Sequence, residues 1–207
     1  MRLGGWYSAE RAEDLEPLCE RLDAHGLSAI PAPNRLAEMP DDACVAFGEA
    51  ARALGLVVGE TGMWENLMTP DPERRTRRIE RVRTLLRKAE LMGCRCVISL
   101  VGSGHPSDSM LAPDGAMLTD EGRRAFREVA LRIVDGLELE RTCYAIEPWR
   151  TSFFYHPEDI AAFLDDVDDP RVRLHLDLVN MIGRRDYFDT KGLAERTFAL
   201  LSDRIAA

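Results

Sequence analysis

No stretch of this sequence approaches the ~20 consecutive apolar residues needed to cross a bilayer. The opening Met1-Arg-Leu-Gly-Gly-Trp6 also lacks the apolar run of a secretory signal. Both absences predict a cytoplasmic protein without a membrane partner. Basic charge is in short supply: 27 Lys and Arg stand against 36 Asp and Glu, a net charge of −9. A general nucleic-acid binder needs a basic footprint to displace counterions, so no nucleic-acid partner is expected. Cysteine is sparse and irregular. The five include Cys94-Arg-Cys96, which lacks the two-residue gap of redox and zinc motifs, so reduced cysteines serving as small buried apolar residues are expected. Only four histidines occur, too few for a histidine-rich cluster of several zinc ions. The first turn, Gly4-Gly5-Trp6, has no GxGxxG spacing, which argues against a doubly wound dinucleotide fold.

What is present is an alternation. With 207 residues, 45% of them hydrophobic, the chain can bury one sizeable core and is read as one domain over 1–207. Short apolar runs predict strands at Arg2–Tyr7, Leu27–Pro31, Leu56–Glu60, Cys96–Val101, Cys143–Glu147 and Val172–Asp177. Between them lie segments of helical period. Ser8 is expected to cap a helix carrying Leu15, Leu18 and Leu22, and Asp41 or Asp42 one running through Phe47, Ala51 and Leu54. Thr69-Pro-Asp-Pro-Glu73 opens a long helix that ends at Gly93, Thr119 opens the next, and Pro157-Glu-Asp159 another, with Leu193–Phe198 in the last. The arginine run Arg74–Arg78 is read as the exposed face of its helix. Six strand-helix repeats imply parallel strands with right-handed crossovers. A (β/α) TIM-barrel fold fits, with about six of the eight units present, so the chain is expected to be C-terminally truncated or completed by another chain. The unpaired edges of such a sheet predict a homo-oligomer.

The last two of these strands end in carboxylates, Glu147 and Asp177, thirty positions apart and thus one repeat apart. The C-terminal ends of barrel strands are where such folds place their chemistry. Two acids at the same end of adjacent strands make a divalent-metal site, since hard cations take oxygen ligands. Glu60 and Trp64 follow the third strand at the same rim, and His105 lies in the Gly-Ser loop after the fourth. His175 alternates with Asp177 and so shares its face. It is read either as a core histidine or as a substrate contact. Arg184 and Arg185 could hold a phosphate or carboxylate, although arginines beside a turn are commonly solvated.

Gly59-Glu-Thr-Gly-Met-Trp64, Ala145-Ile-Glu-Pro148 and Leu174-His-Leu-Asp-Leu-Val-Asn-Met-Ile182, in this order and at these strand positions, resemble the sugar phosphate isomerase/epimerase family of xylose-isomerase-like TIM barrels. The resemblance spans nearly the whole chain. It implies a divalent cation, Mn²⁺ or Mg²⁺ with Co²⁺ or Zn²⁺ as alternatives, held by Glu147 and Asp177. The family's two further ligands, a His and a second Glu, have no counterparts here. It implies a small carbohydrate substrate, a sugar, sugar phosphate or related polyol, touched by Glu60, Trp64, His105, His175, Asn180 and Arg184. Asn180 stands where the family often carries a substrate-binding His, and an amide can bond a hydroxyl but cannot shuttle a proton. The implied reaction is proton transfer through an enediolate, with Glu147 as ligand and as one acid/base. The opposing carboxylate is missing, so this chain alone is expected to be weakly active or inactive. A non-catalytic sugar- or metal-binding barrel is the alternative.

Overall fold

The computed structural model describes residues 2–184 and 186–207. Five parallel strands, β1 (Ala29–Pro31), β2 (Val57–Gly62), β3 (Cys96–Leu100), β4 (Cys143–Glu147) and β5 (Val172–Leu174), pair in chain order. Isolated parallel bridges flank them, Gly4 to Ala29 on one side and Leu174 to Ile205 on the other. The sheet is thus an incomplete barrel. The predicted first strand shrinks to the Gly4 bridge because Gly4 and Gly5 bring no side chain to either face and the run has a neighbour on one side alone. Trp6 is 84% exposed.

Helices α1 (Leu15–Asp23), α2 (Asp41–Ala53), α3 (Pro72–Met92), α4 (Asp120–Val134), α5 (Pro157–Val167), α6 (Leu178–Met181) and α7 (Thr190–Leu201) complete the chain. α1 starts well after Ser8, since Glu10 is engaged instead by the Asn34 amide at 2.7 Å, which ties the preceding segment to the loop beyond β1. The predicted start of α3 is right in place but not in capping group: Asp71, with Pro72 behind it, accepts from the Glu73 and Arg74 amides. Thr119 caps α4 as expected. Gly93 closes α3 at φ +79°, a left-handed conformation that only glycine adopts cheaply.

The central strands β3 and β4 are buried on both faces, and alternate side chains part company. Val97, Tyr144, Ile146, Val172 and Leu174 join the layer beneath the helices, with Phe126, Phe153, Phe154 and Phe163. Cys96, Ile98, Cys143 and Ala145 form a separate cluster on the inner face. The cysteines are free, as expected, and burial pushes the Cys143 thiol up to about 11.

One irregularity decides what points inward at the rim. Ile30 pairs with Val58 but Pro31 pairs with Glu60, so Gly59 is an extra residue on β2. A one-residue slip exchanges the two faces of a strand. Val58 packs beneath the helices, and without the slip Glu60 would follow it. With the slip, Glu60 registers with the inward Cys96.

Candidate functional site

At the C-terminal end of β4, Glu147 lies inside the curve of the sheet with Asn180 and His175. The Asn180 amide donates to Glu147 Oε1 at 2.6 Å. His175 Nδ1 stands 3.6 Å from Glu147 Oε2, and its Nε2 lies 3.2 Å from Glu60 Oε2. Three strand ends therefore meet in a line of carboxylate, imidazole and carboxylate. Nδ1 of His175 is buried without a hydrogen-bond partner among the described residues, and the electrostatic approach of Glu147 is its nearest compensation.

The charge balance follows from this packing. Burial pushes the Glu147 carboxyl above the ordinary glutamate range; the His175 imidazole pulls it down, Asp177 and Glu60 push it up, and the Asn180 hydrogen bond pulls it down again. A carboxyl held up in this way exchanges a proton more readily near neutral pH than a solvated one.

Asp177 ends the run after β5 and caps the four-residue helix α6, its Oδ1 accepting from the Val179 and Asn180 amides at 2.8 and 3.1 Å. One acid thereby orients the helix that delivers Asn180 to the other acid. Glu147, Asp177 and Glu60 each carry carboxylate oxygens of the kind that suits a hard divalent cation. Among the described residues, no group of three or more His, Cys, Asp or Glu side chains is arranged to hold a metal ion.

The other rim residues stand apart from this group. Trp64 is 50% exposed and folds its indole over Gly62, where a Cβ would come within 2.6 Å of the ring. His105 is exposed and bonds within its own loop, Nδ1 to Ser107 Oγ at 2.8 Å. Arg184 is exposed, and Arg185 lies outside the described residues.

Two supporting networks have no periodic signal in the sequence. His156 is buried, with Nδ1 3.2 Å from Glu158 and Nε2 3.4 Å from the buried Asp186, so it joins the loop after β4 to the segment that follows α6, the helix carrying Asn180. Arg78 departs from the solvated face expected of the arginine run. It forks onto Asp108 at 2.8 and 2.9 Å and also reaches Glu65, while Arg74 adds a bond to Asp108 at 2.6 Å. The pair joins α3 to the Gly-Ser loop after β3, with Asn66 bonded to Ser103 O at 2.6 Å beneath it. The Arg78 fork is the largest cause holding the Asp108 carboxyl well below the usual aspartate range.

Asp108→Asn is a clean test of this clamp. The backbone there is left-handed, φ +58°, which asparagine tolerates. The two side chains are 18% and 13% exposed, so the loss at pH 7 should be about 2 kcal/mol, below that of a fully buried pair. A carboxyl lowered by folding contributes stability above its unfolded value, roughly pH 4, and loses it as pH falls through the folded value. The gap between wild type and variant in thermal melts should therefore be constant from pH 7 to about 4 and close only below that. A gap that closes above pH 5 would contradict the assignment.

The fold has solved counterparts. A putative xylose isomerase from Rhodospirillum rubrum superposes with a TM-score of 0.66 at 19% identity, over 100% of this chain and 75% of that one. A D-psicose 3-epimerase from Clostridium cellulolyticum, solved with D-tagatose, gives 0.65 at 18% over 97% and 71%. A 3-keto-D-glucoside 4-epimerase from Escherichia coli gives 0.63 at 16% over 97% and 76%. Identities this low speak for the fold alone. The sequence matches no curated protein. Residues 17–205 match the family model described as xylose isomerase-like TIM barrel, and with the parallel sheet and its rim of strand-end carboxylates this places the chain in the xylose isomerase-like TIM barrel family.

Proposed function

We propose that this barrel transfers a proton at the carbon next to the carbonyl of a ketose or its phosphate, with Glu147 as the acid/base. The observation that carries the reading is the partly buried Glu147 carboxyl, raised above its ordinary range at the end of β4 and held by Asn180 and His175. Glu147 and Asp177 would also hold a divalent cation, which when bound would withdraw charge from the carbonyl oxygen. The solved neighbours named for sugar epimerases, one of them bound to D-tagatose, support a carbohydrate substrate.

The geometry favours one-sided proton chemistry. Glu60 is the second carboxylate, and His175 links it to Glu147; in the proposed scheme both acids stand on one side of the bound sugar. Inversion of a carbon needs a proton removed on one face and another delivered on the opposite face. A single carboxylate can remove a proton and return one to the same face or to the adjacent carbon. His175 and Glu60 are positioning residues in this scheme: they set the charge and orientation of Glu147.

The test is deuterium wash-in followed by NMR, with D-fructose, D-psicose and D-tagatose and their phosphates in Mn²⁺ buffer. Deuterium should enter beside the carbonyl with retention, and the C3 epimer should lag by about 10²-fold, the lower end of what an acid/base partner supplies. Epimer formation keeping pace with exchange would overturn the one-sided scheme. Absence of exchange above the buffer rate would favour a barrel that binds sugar or metal without turnover.

A further inference from the structure

The opposite mouth of the barrel carries a basic basin that the proposed proton chemistry does not use. A cavity of about 790 Å³ opens at the N-terminal ends of β3, β4 and β5, and its lining includes Arg52, Arg95, Arg141, Arg171 and Arg173 with Glu140 as its one acid. The chain as a whole is acidic, at −9. Gathering like charges at one mouth costs self-repulsion, which a bound anion would relieve.

The five arginines differ in what they have left to offer. Arg171 forks onto Asp169 at 2.9 and 2.6 Å and spends its remaining nitrogen on the Val134 and Leu137 carbonyls, so it forms wall. Arg173 bonds the Asp203 carbonyl at 2.5 Å and keeps its full charge. Arg52, Arg95 and Arg141 are exposed, and among the described residues Arg171 is the one basin arginine with a carboxylate ion partner. Glu90 accepts from the Arg141 and Thr142 backbone amides at 3.0 to 3.2 Å. Its carboxylate thereby fixes the backbone that presents Arg141. The floor is firm as well: Thr142 Oγ1 donates to the Cys94 carbonyl at 2.5 Å.

We infer that this basin binds a small molecule bearing a diphosphate. Guanidinium forks match phosphate oxygens in pairs, and four arginines without a carboxylate ion partner among the described residues, gathered around one cavity, exceed what a single phosphate can engage. A long polyanion such as nucleic acid is disfavoured, because it would have to run from the basin across the acidic remainder of the surface. The basin is also separate from the proton-transfer end. From Cys143, which lines it, to Glu147 is four residues of strand, about 13 Å, so the phosphate of a sugar phosphate at Glu147 would not lie here.

Calorimetry on the whole chain, with inorganic pyrophosphate, ADP, inorganic phosphate and citrate as probes, tests the inference. Pyrophosphate should bind at least about tenfold tighter than phosphate, and Arg95→Ala or Arg141→Ala should each weaken it by roughly tenfold. Arg124→Ala, an exposed arginine of α4, should leave it unchanged. ADP binding as well as pyrophosphate would support a nucleotide whose base projects from the basin. ADP binding much more weakly would support a free or compactly linked diphosphate. Both substituted arginines are exposed, and if one variant melts early the other carries the test. Citrate matching pyrophosphate, pyrophosphate no tighter than phosphate, or Arg124→Ala as damaging as Arg95→Ala would each overturn the assignment.

Discussion

Glu147→Gln should lower metal-dependent deuterium exchange by about 10²–10⁴-fold, the range that a positioned acid/base contributes. Glutamine keeps the shape and leaves an oxygen to accept the Asn180 amide, which now bonds Glu147 at 2.6 Å. It removes the proton acceptor and one charged donor for a cation. Mn²⁺ binding, expected to be weak in the wild type because two protein oxygens would leave most positions to water, should weaken further in calorimetry. Identical isotherms would remove Glu147 from the ligand set. The fold should not suffer. A carboxyl raised by folding contributes stability below its unfolded value, about pH 4.3, and loses it as pH rises through the folded value. At pH 7 the wild type therefore bears the cost of a buried charge, and the variant should melt no lower. A variant that melts several degrees lower at pH 7 would mean that the ion pair with His175 outweighs burial.

Gly48→Ala should cost about 2–3 kcal/mol net, although alanine in a helix interior is ordinarily worth about 1 kcal/mol over glycine. Gly48 lies in α2 where that helix crosses the end of α3, and a Cβ there would stand 1.9 Å from the Met92 carbonyl oxygen and 2.7 Å from its carbon. The opposing atoms are backbone, and the residue after Met92 is the left-handed Gly93 that closes the helix, so the neighbour cannot yield by a rotamer change. The helices must separate, at an overpacking cost of roughly 3 kcal/mol or more, which exceeds the propensity gain. For a chain of this size the melting temperature should fall by roughly 5–10 °C. An unchanged or raised melting temperature would show that the helices part at little cost.

The alternation of strands and helices, the closing glycine of α3, the Thr119 cap of α4 and the position of Glu147 at a strand end were determined by the sequence itself, whereas the strand expected to run to Asp177 stops at Leu174 and Asp177 caps α6 instead. They rest on local physics: a period of two or 3.6, a hydroxyl or carboxylate placed to cap, and a glycine free to take positive φ. The same local signals named Glu60 and His175, and the family resemblance named Asn180, without saying which would meet. That was decided by tertiary structure. The extra residue at Gly59 turns Glu60 inward, and the curve of the sheet brings it across to a histidine 115 positions away. Trp64, His105 and Arg184 carry equally plausible side chains at the same rim, yet they bond locally or face solvent, because loop paths are set by contacts such as Arg78 with Asp108, thirty positions apart. The basic basin was invisible for the same reason. Its arginines lie singly between position 52 and position 173, and only parallel pairing of successive strands, which puts their entrances side by side, gathers them at one mouth.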